Sequence, residues 1–516
     1  MQVVCHAGAL LGVEAFPVRV ELRLTKGLPR FDIVGLPEAA VREARVRVSS
    51  AIEFCGYEFP KRRVLLNLSP ADLKKSGSAF DLAIAIGVLA CSGNCPLNQL
   101  EETFFAAELS LAGELRPIPG LLAQLSVAKK LGLKKALVAY DNAPAASLLE
   151  GIDIYCAKSL HEVVAFLANN DDLPTARSVA AQPKTKTLGV AQKQPDLCDI
   201  RGQFVAKRAL EIAAAGRHNL LMSGPPGAGK TMLARRLPGL LPPPSPQESL
   251  TIATIAGVQD REHVDFVDGK SRPFRAPHHT ISDAALIGGG NPVRPGEVTL
   301  AHEGVLFLDE FPEFKRNAIE ALRISMEEGW VQVVRVNQRL RMPARPLIVA
   351  AMNPCPCGYA GDEKHLCSCS VDRIERYQSK LSGPLLDRFD LHLHVPAVPV
   401  RHLRQSMKAE RSAQIQDRVL CAHQFSVERK NSHGAKLFLQ KDAQDLLDQA
   451  TDHYALSARA WHKVKRVART IADLECSEYV QSEHVAEALQ YRFLARVHAA
   501  SGLEKPSSIG DAMKLN

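Results

Sequence analysis

The run Gly224-Pro-Pro-Gly-Ala-Gly-Lys230-Thr231 has the spacing of a phosphate cradle. Glycines let successive backbone N–H groups turn inward around phosphate oxygens at a helix N-terminus, where the helix dipole also favours anions. Gly224, Pro225, Pro226, Gly227, Ala228 and Gly229 would form the loop, Lys230 would reach the β- and γ-phosphates of ATP, and Thr231 would ligate magnesium. Further along, the apolar run Gly304-Val-Leu-Phe-Leu308 ends in Asp309-Glu310, two carboxylates at the end of a strand. ATP hydrolysis needs both: Asp309 would hold Mg2+, and Glu310 would orient or deprotonate the attacking water. A second apolar run, Leu347 to Met352, ends at Asn353, whose amide would contact that water or the γ-phosphate.

A different chemistry is suggested by Cys355-Pro-Cys357-Gly358 and Cys367-Ser-Cys369, two C-x-C pairs nine residues apart. Four thiolates in so short a stretch can close a tetrahedral Zn2+ site and staple a loop that buries no core of its own. His365 could replace one cysteine, and untethered thiols or a redox pair are the alternatives. The other eight of the 12 cysteines are scattered, as in a reduced compartment.

These groups need scaffolds to position them. At roughly 150 residues per domain, 516 residues suggest about three domains. With 46% apolar and 23% charged residues, the composition excludes a mainly disordered, collagen-like or coiled-coil chain. No apolar stretch reaches the length of a bilayer span and no signal-peptide pattern opens the chain, so a cytoplasmic protein without a membrane partner is expected. The net charge of +8 lies wholly after residue 180, a mild excess that permits nucleic-acid binding without demonstrating it.

Residues 1–170 alternate β-like runs (Val18 to Leu24, Arg63 to Leu68) with helical patterns (Pro37 to Phe54, Phe80 to Ala90), an α+β domain. Residues 171–195 contain no aromatic residue and no sustained periodicity, and read as a linker. Residues 196–399 alternate strands and helices, predicting a mostly parallel α/β sheet behind a strand (His218 to Ser223), the P-loop and a helical run (Met232 to Leu240), with the Cys-rich insertion at 354–371. Residues 400–516 read as a helical lid. Trp330 to Met342 alternates Val331, Val333 and Val336 with polar residues around a turn-like Val336-Asn-Gln338, predicting a hairpin whose tip Arg335 and Arg339 flank.

The nucleotide-site residues resemble those of AAA+ ATPases, and Arg272-Pro-Phe-Arg-Ala-Pro-His-His-Thr280 narrows the resemblance to the Mg-chelatase-like group. Gly35-Leu-Pro-Glu-Ala-Ala, Asn67-Leu-Ser-Pro-Ala-Asp-Leu-Lys-Lys75, Ala209-Leu-Glu-Ile-Ala-Ala-Ala-Gly216 and Gly383-Pro-Leu-Leu-Asp-Arg-Phe-Asp390 extend it over nearly the whole chain, to the bacterial ComM/YifB family. The resemblance implies that Asn353 is a sensor-1 residue, Arg388 an arginine finger projecting into a neighbouring subunit, and Arg459, in Leu456-Ser-Ala-Arg, a sensor-2 residue. It also implies that the hairpin and a second insertion around Ser282 to Leu300 point into the pore of a ring, where Arg335 and Arg339 would grip DNA phosphates without reading sequence.

Residues 1–170 resemble a Lon-protease-like domain, with Leu115-Arg-Pro-Ile-Pro-Gly-Leu121 echoing the stretch before that protease's lysine. Aligned on Gly77, the serine position is Ala79 and the lysine position Leu122, so a non-catalytic module is expected. The whole implies a homo-oligomeric, hexameric ATPase moving along single-stranded, duplex or branched DNA as a helicase or branch-migration motor in transformation and recombination. The competing reading is a chelatase-type motor that remodels a partner protein. An ATP-dependent protease is opposed by Ala79 and Leu122.

Overall fold

The computed structural model describes residues 2–182, 195–259, 271–290, 293–335, 338–362, 365–398, 410–433 and 438–492. Its first half is built on a seven-stranded sheet in the spatial order 30–34, 63–69, 14–25, 2–11, 103–106, 135–139, 153–157. Strands 2–11 and 14–25 pair antiparallel from Gln2↔Arg23 to Leu11↔Glu14, and the sheet continues in parallel through 103–106, 135–139 and 153–157. Alternation sets the register: Val18, Val20 and Leu22 are buried while the intervening Arg19, Glu21 and Arg23 are not. Helix Asp81–Cys91 is apolar all round and buried along almost its entire length, as a helix inside a core must be.

Part of the stretch expected to be a linker is folded. Thr175 caps a short helix, Ala176–Ala181, through its side chain, Ala176 is buried, and Cys156 N–H donates to Pro174 O at 2.9 Å. Those bonds extend the first sheet's edge, which a composition argument could not see. Residues 183–194 lie outside the described residues.

The second half carries a five-stranded, all-parallel sheet in the order 274–275, 305–308, 347–352, 220–223, 391–394. Strands 305–308, 347–352 and 220–223 are buried on both faces, as continuous apolar runs in a parallel sheet should be. One face (Leu220, Met222, Phe307, Val349, Leu391) packs against helix Phe204–Gly216 and the C-terminal helices. The other (Leu221, Leu306, Leu308, Ile348, Ala350) packs against helix Arg316–Glu328 and the base of the hairpin. The helix after the P-loop, Lys230–Ala234, is shorter than expected and passes into a 3-10 turn at Leu237–Gly239, where Pro238 removes a backbone donor.

The hairpin forms as Trp330–Arg335 against Gln338–Pro343, with Val331 and Val333 buried beneath it and the Arg341 guanidinium 4.5 Å from the Trp330 ring centroid. Val336 and Asn337, its expected turn, lie outside the described residues. The 282–300 segment holds helices Asp283–Ile287 and Glu297–Leu300 around a two-stranded pairing of Gly288-Gly289 with Arg294-Pro295. The C-terminal helices span Ser412–His433, Lys441–His453, Ala458–Leu474 and Ser482–Gln490. No helix among the described residues is long and apolar enough to cross a membrane.

Candidate nucleotide site and its cysteine knuckle

In a parallel sheet every C-terminal strand end opens on the same edge, and ligands gather there. Three adjacent strands end at Ser223, Leu308 and Met352, so the loop at Gly224, the carboxylates at 309–310 and Asn353 meet across neighbouring strands although they are far apart in sequence. Backbone conformation explains one loop glycine and close packing another. Gly229 caps the helix at φ +89°, the left-handed region, and a Cβ on Gly224 would lie 2.1 Å from Val395 O.

The Lys230 side chain is buried, and its ammonium donates to Gly224 O (2.6 Å), Pro225 O (3.0 Å) and Asn353 Oδ1 (3.1 Å). Burial lowers its pKa, an effect that the Asp309 carboxylate opposes. Thr231 Oγ1 donates to Asp309 Oδ2 at 2.9 Å, which places both expected magnesium ligands together. Asp309 Oδ1 accepts the Glu310 N–H at 3.0 Å. Hydroxyl and carboxylate oxygens are the donor set a hard cation such as Mg2+ takes, and the loop's inward amides fit the phosphates it accompanies.

Glu310 has a positive φ of 52°, a strained backbone for a residue with a side chain, of the kind that gathers at functional sites. Its carboxylate is half-exposed, and Oε2 lies 2.9 Å from His279 Nδ1. Motif spacing assigns His279 no role. Its signal is the Pro-His-His-Thr segment, which follows the edge strand 274–275 beside the carboxylate-bearing strand.

Arg388 and Arg459 lie outside this cluster. The Arg388 guanidinium bonds to Glu327, at the end of helix Arg316–Glu328, and to Pro384 O. Arg459 stands exposed in the first turn of helix Ala458–Leu474. The segments that carry them are joined: Ser457 Oγ, the cap of that helix, donates to Asp387 Oδ2 at 3.2 Å, and Lys463 Nζ donates to Arg388 O at 2.6 Å. Arg339 is exposed on the hairpin opposite Val334, and Arg335 occupies the strand position opposite Gln338.

The four cysteines converge. Their sulfurs lie within 4.8 Å of one another, with Cys355–Cys357 at 3.3 Å, Cys357–Cys367 at 3.5 Å and Cys355–Cys367 at 3.6 Å. A tetrahedron of bonds of about 2.3 Å separates its sulfurs by about 3.8 Å, so these positions suit a zinc tetrathiolate with little movement. Backbone N–H groups of Ala360 and Cys369 point at Cys355 Sγ (3.3 Å) and Cys367 Sγ (3.5 Å). His365 is not among the clustered ligands.

Comparison with known proteins agrees with this architecture. Residues 196–403 match the family model described as magnesium chelatase, subunit ChlI; residues 20–142 match subunit ChlI of Mg-chelatase, and 409–492 its C-terminal region. The chain is 42% identical over 505 residues to competence protein ComM of Haemophilus influenzae, covering 96% of this chain and 98% of that protein. It is 43% identical over 505 residues to YifB of Escherichia coli K12, covering 96% and 97%. A shorter match, 32% over 114 residues, covers 22% of this chain and 24% of the DNA repair protein RadA of H. influenzae. A P-loop joined across a parallel sheet to paired carboxylates, within a chain similar over 96% of its length to ComM and to YifB, places the protein in the ComM/YifB family of Mg-chelatase-like AAA+ proteins.

Proposed function

We propose that the protein is a ring-forming ATPase that couples ATP hydrolysis to movement along DNA, as a helicase or branch-migration motor in transformation and recombination. The observation that carries the ATPase reading is the convergence of Lys230, Thr231, Asp309, Glu310 and Asn353 on one sheet edge. Bound there, magnesium would neutralise phosphate charge, held by Thr231 and Asp309. Glu310 orients the attacking water and takes its proton, Asn353 fixes the Lys230 ammonium, and Lys230 offsets charge on the terminal phosphates.

Arg388 bonds to Glu327 and Pro384 O and, among the described residues, to no part of its own P-loop cluster, which supports its action on a neighbour's nucleotide and hence a closed ring, read here as a hexamer; Arg459 is read as the sensor-2 residue. The hairpin supplies Arg335 and Arg339 for phosphate contacts. DNA as the track rests on two relatives: one is named as a competence protein and the other as a DNA repair protein. Zinc at Cys355, Cys357, Cys367 and Cys369 is part of the same reading.

The N-terminal unit, read as Lon-like, serves as a non-catalytic module. Ala79 and Leu122 share one apolar cluster with Leu250 and Ala253 of helix Pro246–Gln259, where side chains able to do acyl transfer would be needed for proteolysis. The family model's chelatase description favours a second reading, a motor that remodels a partner enzyme. ATP turnover measured with single-stranded, duplex and branched DNA, with a porphyrin-chelatase partner and with unfolded protein, separates the readings. The proposal expects stimulation by DNA alone; stimulation only by the chelatase partner would replace it.

A further inference from the structure

The cysteine knuckle and the nucleotide cradle share a wall. Asn353, which accepts from Lys230 Nζ at 3.1 Å, is two residues from Cys355, so the residue that fixes the P-loop lysine is anchored beside the first sulfur. Cys355 is fully buried, and its carbonyl accepts the Gly358 N–H at 3.0 Å, closing a tight turn. Gly358 has φ +89°, and a Cβ there would stand 2.7 Å from Pro226 Cδ, inside the P-loop. The turn therefore rests on the phosphate loop with no room for a side chain. On the strand side, Gly224 N–H donates to Met352 O at 3.3 Å. On the far side, the last cysteine leads directly into helix Val371–Gln378, whose Gln378 Nε2 returns to Pro354 O at 3.1 Å.

Through these contacts the ends of the knuckle are tied to Lys230, Pro226 and Gly224, all on the phosphate side. Among the described residues the loop between the cysteine pairs is held by short-range contacts, such as Asp362 N–H to Tyr359 O at 3.1 Å, and the four converging sulfurs supply a cross-link between its two ends. A metal there would hold the turn at Gly358 and the backbone before Cys355 in the positions that define the cradle. Without it, both gain freedom that nucleotide binding must then remove.

Resting on the zinc and ATP readings above, we infer that the knuckle is a metal-dependent wall of the nucleotide site, so that zinc at Cys355, Cys357, Cys367 and Cys369 and nucleoside triphosphate at the P-loop bind cooperatively. Coupling between two equilibria is reciprocal, so each ligand must tighten the other by the same factor.

The test uses the full chain. Zinc per chain is measured by elemental analysis, the Kd of a non-hydrolysable ATP analogue is measured on zinc-loaded and chelator-stripped protein, and zinc affinity is measured against a competing chelator with and without the analogue. Circular dichroism confirms that stripped protein stays folded. The expected result is one zinc per chain, an analogue Kd about tenfold weaker after stripping, and zinc affinity raised by the same factor when the analogue is present. In Lys230→Ala the analogue should leave zinc affinity unchanged. Gly358→Ala keeps all four ligands but forces the turn off Pro226, so it should retain zinc and lose most of the coupling. One zinc per chain with an unaltered analogue Kd overturns the coupling and leaves the zinc reading standing. Absence of zinc overturns both. Full coupling retained in Gly358→Ala shows that the Pro226 contact does not carry it.

Discussion

Each half of the molecule buries a lysine next to a glycine-bearing loop, and the two lysines have opposite surroundings. Lys75 precedes Gly77 in the N-terminal unit; it is fully buried, and its ammonium makes no hydrogen bond among the described residues. Burial lowers its pKa against a pull from Asp72. Lys230 follows Gly229 and donates to three acceptors, with a carboxylate close enough to oppose the effect of burial. The difference is one of strand ends. The second sheet is wholly parallel and brings three adjacent strand ends to one edge, whereas strand 63–69, which leads to Lys75, has one parallel neighbour, 30–34, and one antiparallel neighbour, 14–25, so only two strand ends meet there. A buried lysine gains hydrogen-bond partners when the topology delivers strand ends to it.

Of the ways to challenge that contrast, subunit mixing has the largest expected effect. Arg388→Ala and Lys230→Ala proteins should each be inactive in ATP turnover. Mixed in equal amounts they should regain a measurable part of wild-type turnover, since an intact Lys230 can then meet a neighbour's Arg388. Mixed assemblies that form and stay inactive would show that Arg388 is not supplied in trans. Arg388→Ala should retain nucleotide affinity, because Arg388 touches Glu327 and Pro384 O rather than its own P-loop.

Next comes the hairpin. Arg335→Ala with Arg339→Ala should weaken DNA binding for all sequences alike and lower the slope of log affinity against log salt by about 0.7 to 0.9 for each phosphate that is no longer neutralised. Basal ATP turnover should persist, since the hairpin stands apart from Lys230, Asp309 and Glu310. An unchanged slope with intact DNA stimulation would move the DNA contacts to the N-terminal unit or the cysteine knuckle.

Acid should also separate the halves. His218 and His302 are buried, and burial pulls the pKa of each down to about 4; His392 falls to about 3. All three lie in the second half, and His218 Nε2 lies 2.8 Å from Thr470 Oγ1, joining the sheet to helix Ala458–Leu474. The unfolded chain protonates near 6.5 while the folded chain stays neutral, so stability is complete above that pH and falls as pH drops toward 4. Shifts of that size are worth about 3 to 5 kcal/mol for one group. Thermal melts from pH 7.5 to 4.5 should show the ATPase unit losing Tm ahead of the N-terminal unit. Equal losses in both would contradict the assignment.

The smallest effect is expected at Lys75. Lys75→Met replaces an unpartnered buried ammonium with an apolar chain of similar length, so stability should be unchanged or higher, and ATP turnover unaffected. A large loss of stability would mean that Lys75 has a partner after all.

Much of the nucleotide site is legible in the sequence because its parts are local: a glycine loop before a helix, two acids after an apolar run, an asparagine after another. The four cysteines are legible for the same reason. Long-range pairings are not. That His279 approaches Glu310, that Glu327 holds Arg388, or that Asp387 meets Ser457 depends on which strands and helices become neighbours, which spacing does not encode. The helix at Ala176–Ala181 escapes a sequence reading because a polar, alanine-rich run resembles a linker until one of its residues is seen to be buried against a sheet edge.

The central claim is that Lys230 and Glu310 do different work in one ATP-hydrolysing site, and parallel measurement of nucleotide affinity and turnover tests it most directly. Lys230→Ala should lose both. Glu310→Gln should bind ATP within a few-fold of wild type while turnover falls by about 10²- to 10⁴-fold, the range that loss of a general base produces. A Glu310→Gln protein that hydrolyses ATP at the wild-type rate would contradict the account.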